Sequence, residues 1–115
     1  MTYKVEISPT AVADIEQIFL WMRESSVDIA HRWVRGCYEI MLTLEKFPKR
    51  CPMSPESDYM GIEIRQLLYK KQFRILFTVN EIPEENSGIV RIHRVRHGSQ
   101  DRLRDPEQLF DDNNE

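Results

Sequence analysis

Glycine, proline and cysteine are all scarce in this chain. Its 115 residues include 4 Gly and 6 Pro, which excludes collagen-like and low-complexity architectures. Cys37 and Cys51 are its two cysteines. They are too few for a disulfide scaffold and lack CxxC spacing for zinc, so they fit a reducing compartment. No apolar run approaches the roughly 18–20 residues that cross a bilayer. The opening Met1-Thr2-Tyr3-Lys4-Val5-Glu6 has nothing of a signal peptide's apolar stretch, and these absences together point to a cytoplasmic location. There is also no G-x-S-x-G elbow and no Gly-rich phosphate loop, which leaves nucleophilic catalysis and nucleotide cradling without a motif.

What is present fits one soluble domain: hydrophobic residues make up 41% and charged residues 30%, in a length that holds a single core. The charge is unevenly spread. The chain carries −3 overall, but residues 1–104 carry +2 and residues 46–104 carry +5. The tail 105–115 holds five acids and no base. The expected division is a single domain over 1–104 and an acidic C-terminal tail over 105–115. The body is less basic than a chain that grips many phosphates.

Tyr3, Val5 and Ile7 alternate with Lys4 and Glu6 and read as a short strand. Ser8-Pro9 offers a cap and a first-turn proline, and predicts a helix to about Glu24 with Ala11, Ile15, Ile18, Phe19 and Met22 inward. Trp21 falls off that stripe, at the core edge or in a partner contact. Ser25-Ser26 starts a second helix whose stripe is Ala30, Trp33, Val34, Cys37, Ile40, Met41, Leu44 and Phe47, ended by Pro48. The two helices form an antiparallel hairpin. Residues 48–60 read as a loop. Strands follow over 61–69 and 73–79, joined by a two-residue turn at Lys70-Lys71. That register sends Ile62, Ile64, Leu68, Phe73, Ile75, Phe77 and Val79 toward the helices, and Arg65, Leu67, Tyr69, Arg74 and Leu76 to the opposite face. A last strand, 89–97, has broken parity. A bulge near His93 repairs it, or both faces are partly covered. Asp105-Pro106-Glu107 begins a short helix through Phe110, and 111–115 carries too little apolar surface to order itself. The fold class is α+β, in the order β-α-α-β-β-β, with a helical hairpin on one face of a mostly antiparallel four-stranded sheet.

The candidate surface is the sheet face left uncovered by the hairpin, where Arg65, Tyr69, Arg74 and either Arg94 or the His93/His97 pair meet. Arginine forks there suit phosphate or carboxylate; a solvated face of charged side chains accounts for the same residues. His93 and His97 share a strand face in an unbroken strand, but two histidines with Asp101 nearby make a poor metal set, and no metal or cofactor is expected. His97 at a strand end suits general acid–base work or a simple strand cap. Leu67, Tyr69 and Leu76 with the flanking Arg65, Arg74, Arg94 and Arg96 form the expected partner-binding set. Leu109 and Phe110 are anchors by which the acidic tail folds back toward the arginines.

Several stretches together resemble the RelE/ParE toxins of bacterial type II toxin–antitoxin (plasmid stabilisation) pairs. They are Tyr3-Lys4-Val5-Glu6-Ile7-Ser8-Pro9-Thr10-Ala11 with Asp14-Ile15, Phe47-Pro48-x-Arg50-x-Pro52, Ile64-Arg65-Gln66-Leu67, Phe73-Arg74-Ile75-Leu76-Phe77-x-Val79 and Val95-Arg96-His97-Gly98-Ser99-Gln100-Asp101. The resemblance spans roughly residues 3–103. It implies a toxin neutralised by a cognate antitoxin that wraps it with a helix and an extended segment. RelE-type members cut mRNA in the ribosome, whereas ParE-type members act on DNA gyrase without nuclease activity. In a RelE-like reading the catalytic residues are Arg65, Arg74 and His97, with Arg96 an alternative to His97. Leu67 stands where that pattern prefers a lysine, and no tyrosine follows Asp101. The resemblance is therefore closer to the ParE-like branch: a non-enzymatic gyrase inhibitor with an antitoxin partner. The other readings are a ribosome-dependent endoribonuclease and a degenerate member that binds an antitoxin without toxicity.

Overall fold

The computed structural model describes residues 1–110; the expected disordered end, 111–115, lies outside them. Ser8 Oγ accepts from the Ala11 N–H at 3.0 Å and Pro9 occupies the first helical position, so α1 spans Pro9–Met22. Ser26 Oγ accepts from the Ile29 N–H at 3.2 Å and starts α2, Val27–Leu42. Ala30, Trp33, Cys37, Met41 and Leu44 are buried along its stripe, with Val34 and Ile40 half-buried. No described helix is long and apolar enough to cross a membrane.

The end of that stripe differs from expectation. The α-helix stops at Leu42 and tightens into a 3-10 turn over Thr43–Glu45. Phe47, expected in the core, has a left-handed φ of 51° and is 80% exposed. The left-handed step takes Phe47 off the helical stripe, and Pro48 is buried instead.

Four strands form one mixed sheet: β1 (Thr2–Ile7), β2 (Arg65–Tyr69), β3 (Phe73–Ile82) and β4 (Ser87–His97), in the order β1-β4-β3-β2. β1 runs parallel to β4, and the other pairs are antiparallel. The β3–β4 register shifts between Leu76, opposite Arg94, and Phe77, opposite Ile92. His93 is thus the extra residue of a bulge, and one strand can send both Ile92 and Val95 into the core.

β2 pairs one residue out of the expected register. Tyr69 lies opposite Phe73, Leu67 opposite Ile75 and Arg65 opposite Phe77. The connection is therefore three residues, Lys70-Lys71-Gln72, with Lys70 and Lys71 both at positive φ. Because side chains alternate with period two, the slip exchanges the faces of β2. Leu67 and Tyr69 turn toward the helices, and Leu68 is 52% exposed on the other side. Tyr69 gains more from this than Leu68 loses. Its ring packs on Trp33, and its hydroxyl donates to the Trp33 carbonyl at 2.8 Å across Gly36. A Cβ at Gly36 would lie 2.2 Å from that hydroxyl.

The second sheet face is covered as well. The stretch read as a loop contains α3 (Pro55–Met60), and α4 (Pro106–Phe110) closes the described chain. Ile64, Leu76, Leu103 and Leu109 form a small core there, flanked by Met60 and Phe110. The main core lies between the sheet and the hairpin, with Trp33 between Tyr69 and Phe73 at ring distances of 5.6 and 4.9 Å. Trp33→Ala should destabilise the fold by about 3–5 kcal/mol, measured by urea unfolding. A loss under 1 kcal/mol would show that this seam is not the core.

Candidate functional site

The slip in β2 divides the expected partner-binding set. Arg65, Leu67 and Tyr69 share the helix face with Phe73, Ile75 and Phe77, while Arg74, Leu76, Arg94 and Arg96 share the second face. Leu76 is fully buried and Tyr69 nearly so, so neither is the open apolar surface expected of it.

On the second face each arginine is bound into the fold. Arg74 Nη1 donates to Glu56 Oε2 at 3.0 Å, its Nη2 pairs with Glu56 Oε1, and its Nε donates to Gln66 Oε1 at 3.0 Å. Glu56 Oε2 also accepts from the Leu103 N–H at 3.3 Å. Glu56 comes from the first turn of α3, so one buried carboxylate joins α3, β3 and the segment after β4. Burial pushes the Glu56 carboxyl up; the hydrogen bonds and charge of Arg74, with the amides of Glu56 and Leu103, outweigh this and hold it below its ordinary value.

Arg94 makes a two-pronged pair with Asp14 of α1, Nε to Oδ2 at 2.7 Å and Nη2 to Oδ1 at 3.0 Å, and also donates to the Gln108 carbonyl at 2.7 Å. Here β4 has run past the end of β1, and its edge needs partners. The Ser8 N–H donates to the Ile92 carbonyl, Ser8 Oγ to the His93 carbonyl, and the Val95 N–H donates to Asp14 Oδ2. Arg96 donates to the Asp101 carbonyl at 2.7 Å, and its Nε has no hydrogen-bond partner among the described residues. Burial and the nearby Arg94 and Arg74 charges disfavour its protonated form.

Arg65 serves a different place. Its Nη1 donates to the carbonyls of Cys51 at 2.7 Å and Lys49 at 3.2 Å, bracing the loop after α2. His97 packs edge-on against Phe73 on the helix face, and its Nδ1 is hydrogen-bonded to Ser99 Oγ. The bulge sends His93 the other way, to Thr78 Oγ1 at 2.9 Å and the Phe110 ring. The two histidines therefore do not share a face. Among the described residues no three His, Cys, Asp or Glu side chains gather as a metal set. Burial raises the Cys37 thiol to about 12, which keeps it protonated and a poor nucleophile at neutral pH. Trp21 is 64% exposed.

The expected catalytic trio is thus dispersed: Arg65 braces a loop on the helix face, Arg74 is buried against Glu56 on the other face, and His97 sits at a strand end beside Phe73. What the arrangement can do is hold shape and present its rim. The partners of the arginines, Glu56 and Gln108, were not singled out by the sequence reading. The Ser54-Pro55 pair, of the same type as Ser8-Pro9, was the available signal for the helix that carries Glu56.

A sequence model described as ParE toxin of type II toxin-antitoxin system, parDE, matches residues 5–102. The chain belongs to this ParE toxin family. No curated protein matches it. A solved structure titled chromosomal ParDE TA system from P. aeruginosa is similar in fold, with a TM-score of 0.59 at 15% identity, covering 84% of this chain and 96% of that one.

In this ParE family member, the Glu56 carboxyl gives a pH test. Its folded pKa is below the unfolded value, so its contribution to stability is present above about pH 4.3 and is lost as pH falls through the lowered folded value. Glu56→Ala should cost about 3–5 kcal/mol by leaving Arg74 buried without its partner. Glu56→Gln should flatten the acid limb of a stability–pH curve measured by denaturant titration. An unchanged acid limb would remove the pair from this role.

Proposed function

We propose that this ParE family member is the toxin of a type II toxin–antitoxin pair, that it inhibits DNA gyrase by binding and not by catalysis, and that a cognate antitoxin neutralises it. The observation that supports binding over cleavage is the separation of Arg65 from Arg74. These are the two positions that resemble the basic strand residues of ribosome-dependent nucleases. They lie on opposite faces of the sheet, each spent on a protein acceptor, so they offer no common phosphate.

The solved structure of similar fold is titled as a toxin–antitoxin system, which supports an antitoxin partner for this chain. We infer that the antitoxin contacts the edge formed by β2, where Arg65 and Leu67 remain half-exposed on the helix face; Arg94 and Arg96 lie on the other face, beyond β3, and support the sheet from there. β2 is an edge strand of the sheet, and an edge can take an added strand from a partner. Tyr69, Arg74 and Leu76 support that edge from within.

Induction of the chain in a bacterial host should produce filamentation and gyrase-dependent DNA breaks, and the purified protein should inhibit gyrase supercoiling. Mapping of mRNA 5′ ends in the same cells should show no codon-phased cuts. Codon-phased cutting with intact DNA would replace this reading with the ribosome-dependent endoribonuclease.

A further inference from the structure

Phe47 combines three features that ordinary surface residues do not share. It is a bulky side chain at φ 51° and ψ 51°, a conformation that costs non-glycine residues energy. It precedes Pro48, and a residue before proline is steered toward extended backbone. It is also 80% exposed, so no burial offsets the strain.

The surroundings hold it there. The Arg50 guanidinium donates to the carbonyls of Lys46 at 2.8 Å and Phe47 at 3.2 Å, and to Thr43 Oγ1 at 2.9 Å. Arg65 braces the next turn through the Lys49 and Cys51 carbonyls. Two guanidiniums thus fix the backbone on either side of Pro48. Phe47 stands on the wall of a groove of about 790 Å³ that includes Tyr3, Lys46, Pro48, Lys49, Arg50 and Glu81. Lys46, Lys49 and Arg50 set three positive charges around the ring against the one carboxylate of Glu81.

We propose that Phe47 is a preorganised anchor by which the chain grips its protein target, inserting into an apolar pocket edged by carboxylates. This rests on the reading that the chain acts by binding a protein. A backbone braced before the encounter presents the ring in a set place, so the loop loses little entropy on binding, and exposed aromatic side chains are among the interface residues that carry most of the affinity. The surrounding positive charge selects an acidic rim. A nucleic acid fits less well. The three cations are partly offset by Glu81, 3.2 Å from Lys49, and the charge that remains suits a few carboxylates but falls short of the several phosphate contacts that strand binding needs.

The test compares the full chain with Phe47→Gly and Phe47→Asn, whose new residues accept the left-handed backbone, and with Val12→Gln on exposed α1 surface as control. Four quantities are measured: Tm, affinity for purified gyrase holoenzyme, affinity for a labelled single-stranded oligonucleotide, and growth arrest on induction. Both Phe47 variants should keep or raise Tm, lose at least tenfold in gyrase affinity and lose growth arrest, while Val12→Gln behaves as wild type. Wild-type affinity and arrest in the Phe47 variants would overturn the anchor. So would a fall in Tm accompanying the loss, or oligonucleotide binding that disappears with Phe47. A wild-type chain that arrests growth without binding gyrase would end the gyrase reading. Arrest by Phe47→Gly then decides the anchor separately: loss supports it and persistence overturns it.

Discussion

The carboxylate of Glu56 and the guanidinium of Arg74 meet beneath the surface, and the second layer of the molecule depends on that meeting. Two charges taken out of water cost several kcal/mol each unless geometry and extra hydrogen bonds return it. Here the guanidinium also reaches Gln66, and the carboxylate also accepts from the Leu103 amide. The pair does not by itself establish high stability. What it does is select an arrangement: α3 and the segment leading to α4 must sit where both charges are satisfied, because any shift strands one of them. The small apolar cluster of Ile64, Leu76, Leu103 and Leu109 then closes over the same ground.

Arg94 extends this logic to the first helix. Its fork on Asp14, with Asp14 also taking the Val95 amide, converts the unpaired stretch of β4 into a seat for α1. The bulge at His93 lies beside this seat and lets β4 keep its inward residues on one face on both sides of the irregularity. The arginines of this sheet are therefore mostly internal fasteners, although by residue type they resemble an anion-binding face.

Local signals were legible where a single physical cause was sufficient. Ser8-Pro9, Ser26, the α2 stripe and Pro106 each mark an element through capping or spacing, and the parity break in β4 announced its bulge. β2 failed because apolar residues occupy both parities: Ile64 and Leu68 on one, Leu67 and Tyr69 on the other. With both faces of the sheet covered, alternation had no single meaning, and one extra residue in the turn decided the register. Helical spacing carried Phe47 into the predicted core because nothing in that spacing registers a left-handed step before proline. The partners of the site arginines were out of reach for another reason. Arg74 and Glu56 are 18 residues apart, and Arg94 and Asp14 are 80 apart, so only the folded topology brings them together.

The placement of β1 has a consequence for how the chain emerges during synthesis. Thr2 pairs with Ser87 and Ile7 with Ile92, in parallel, so among the described residues the first strand finds its neighbouring strand 85 residues later. Until that stretch has left the ribosome, β1 has nothing to pair with and the sheet has no closed edge on that side. Such long-range parallel pairing slows folding. It also means that a product terminated before β4 cannot assemble the sheet, so the fold closes only after residues 87–92 have been made.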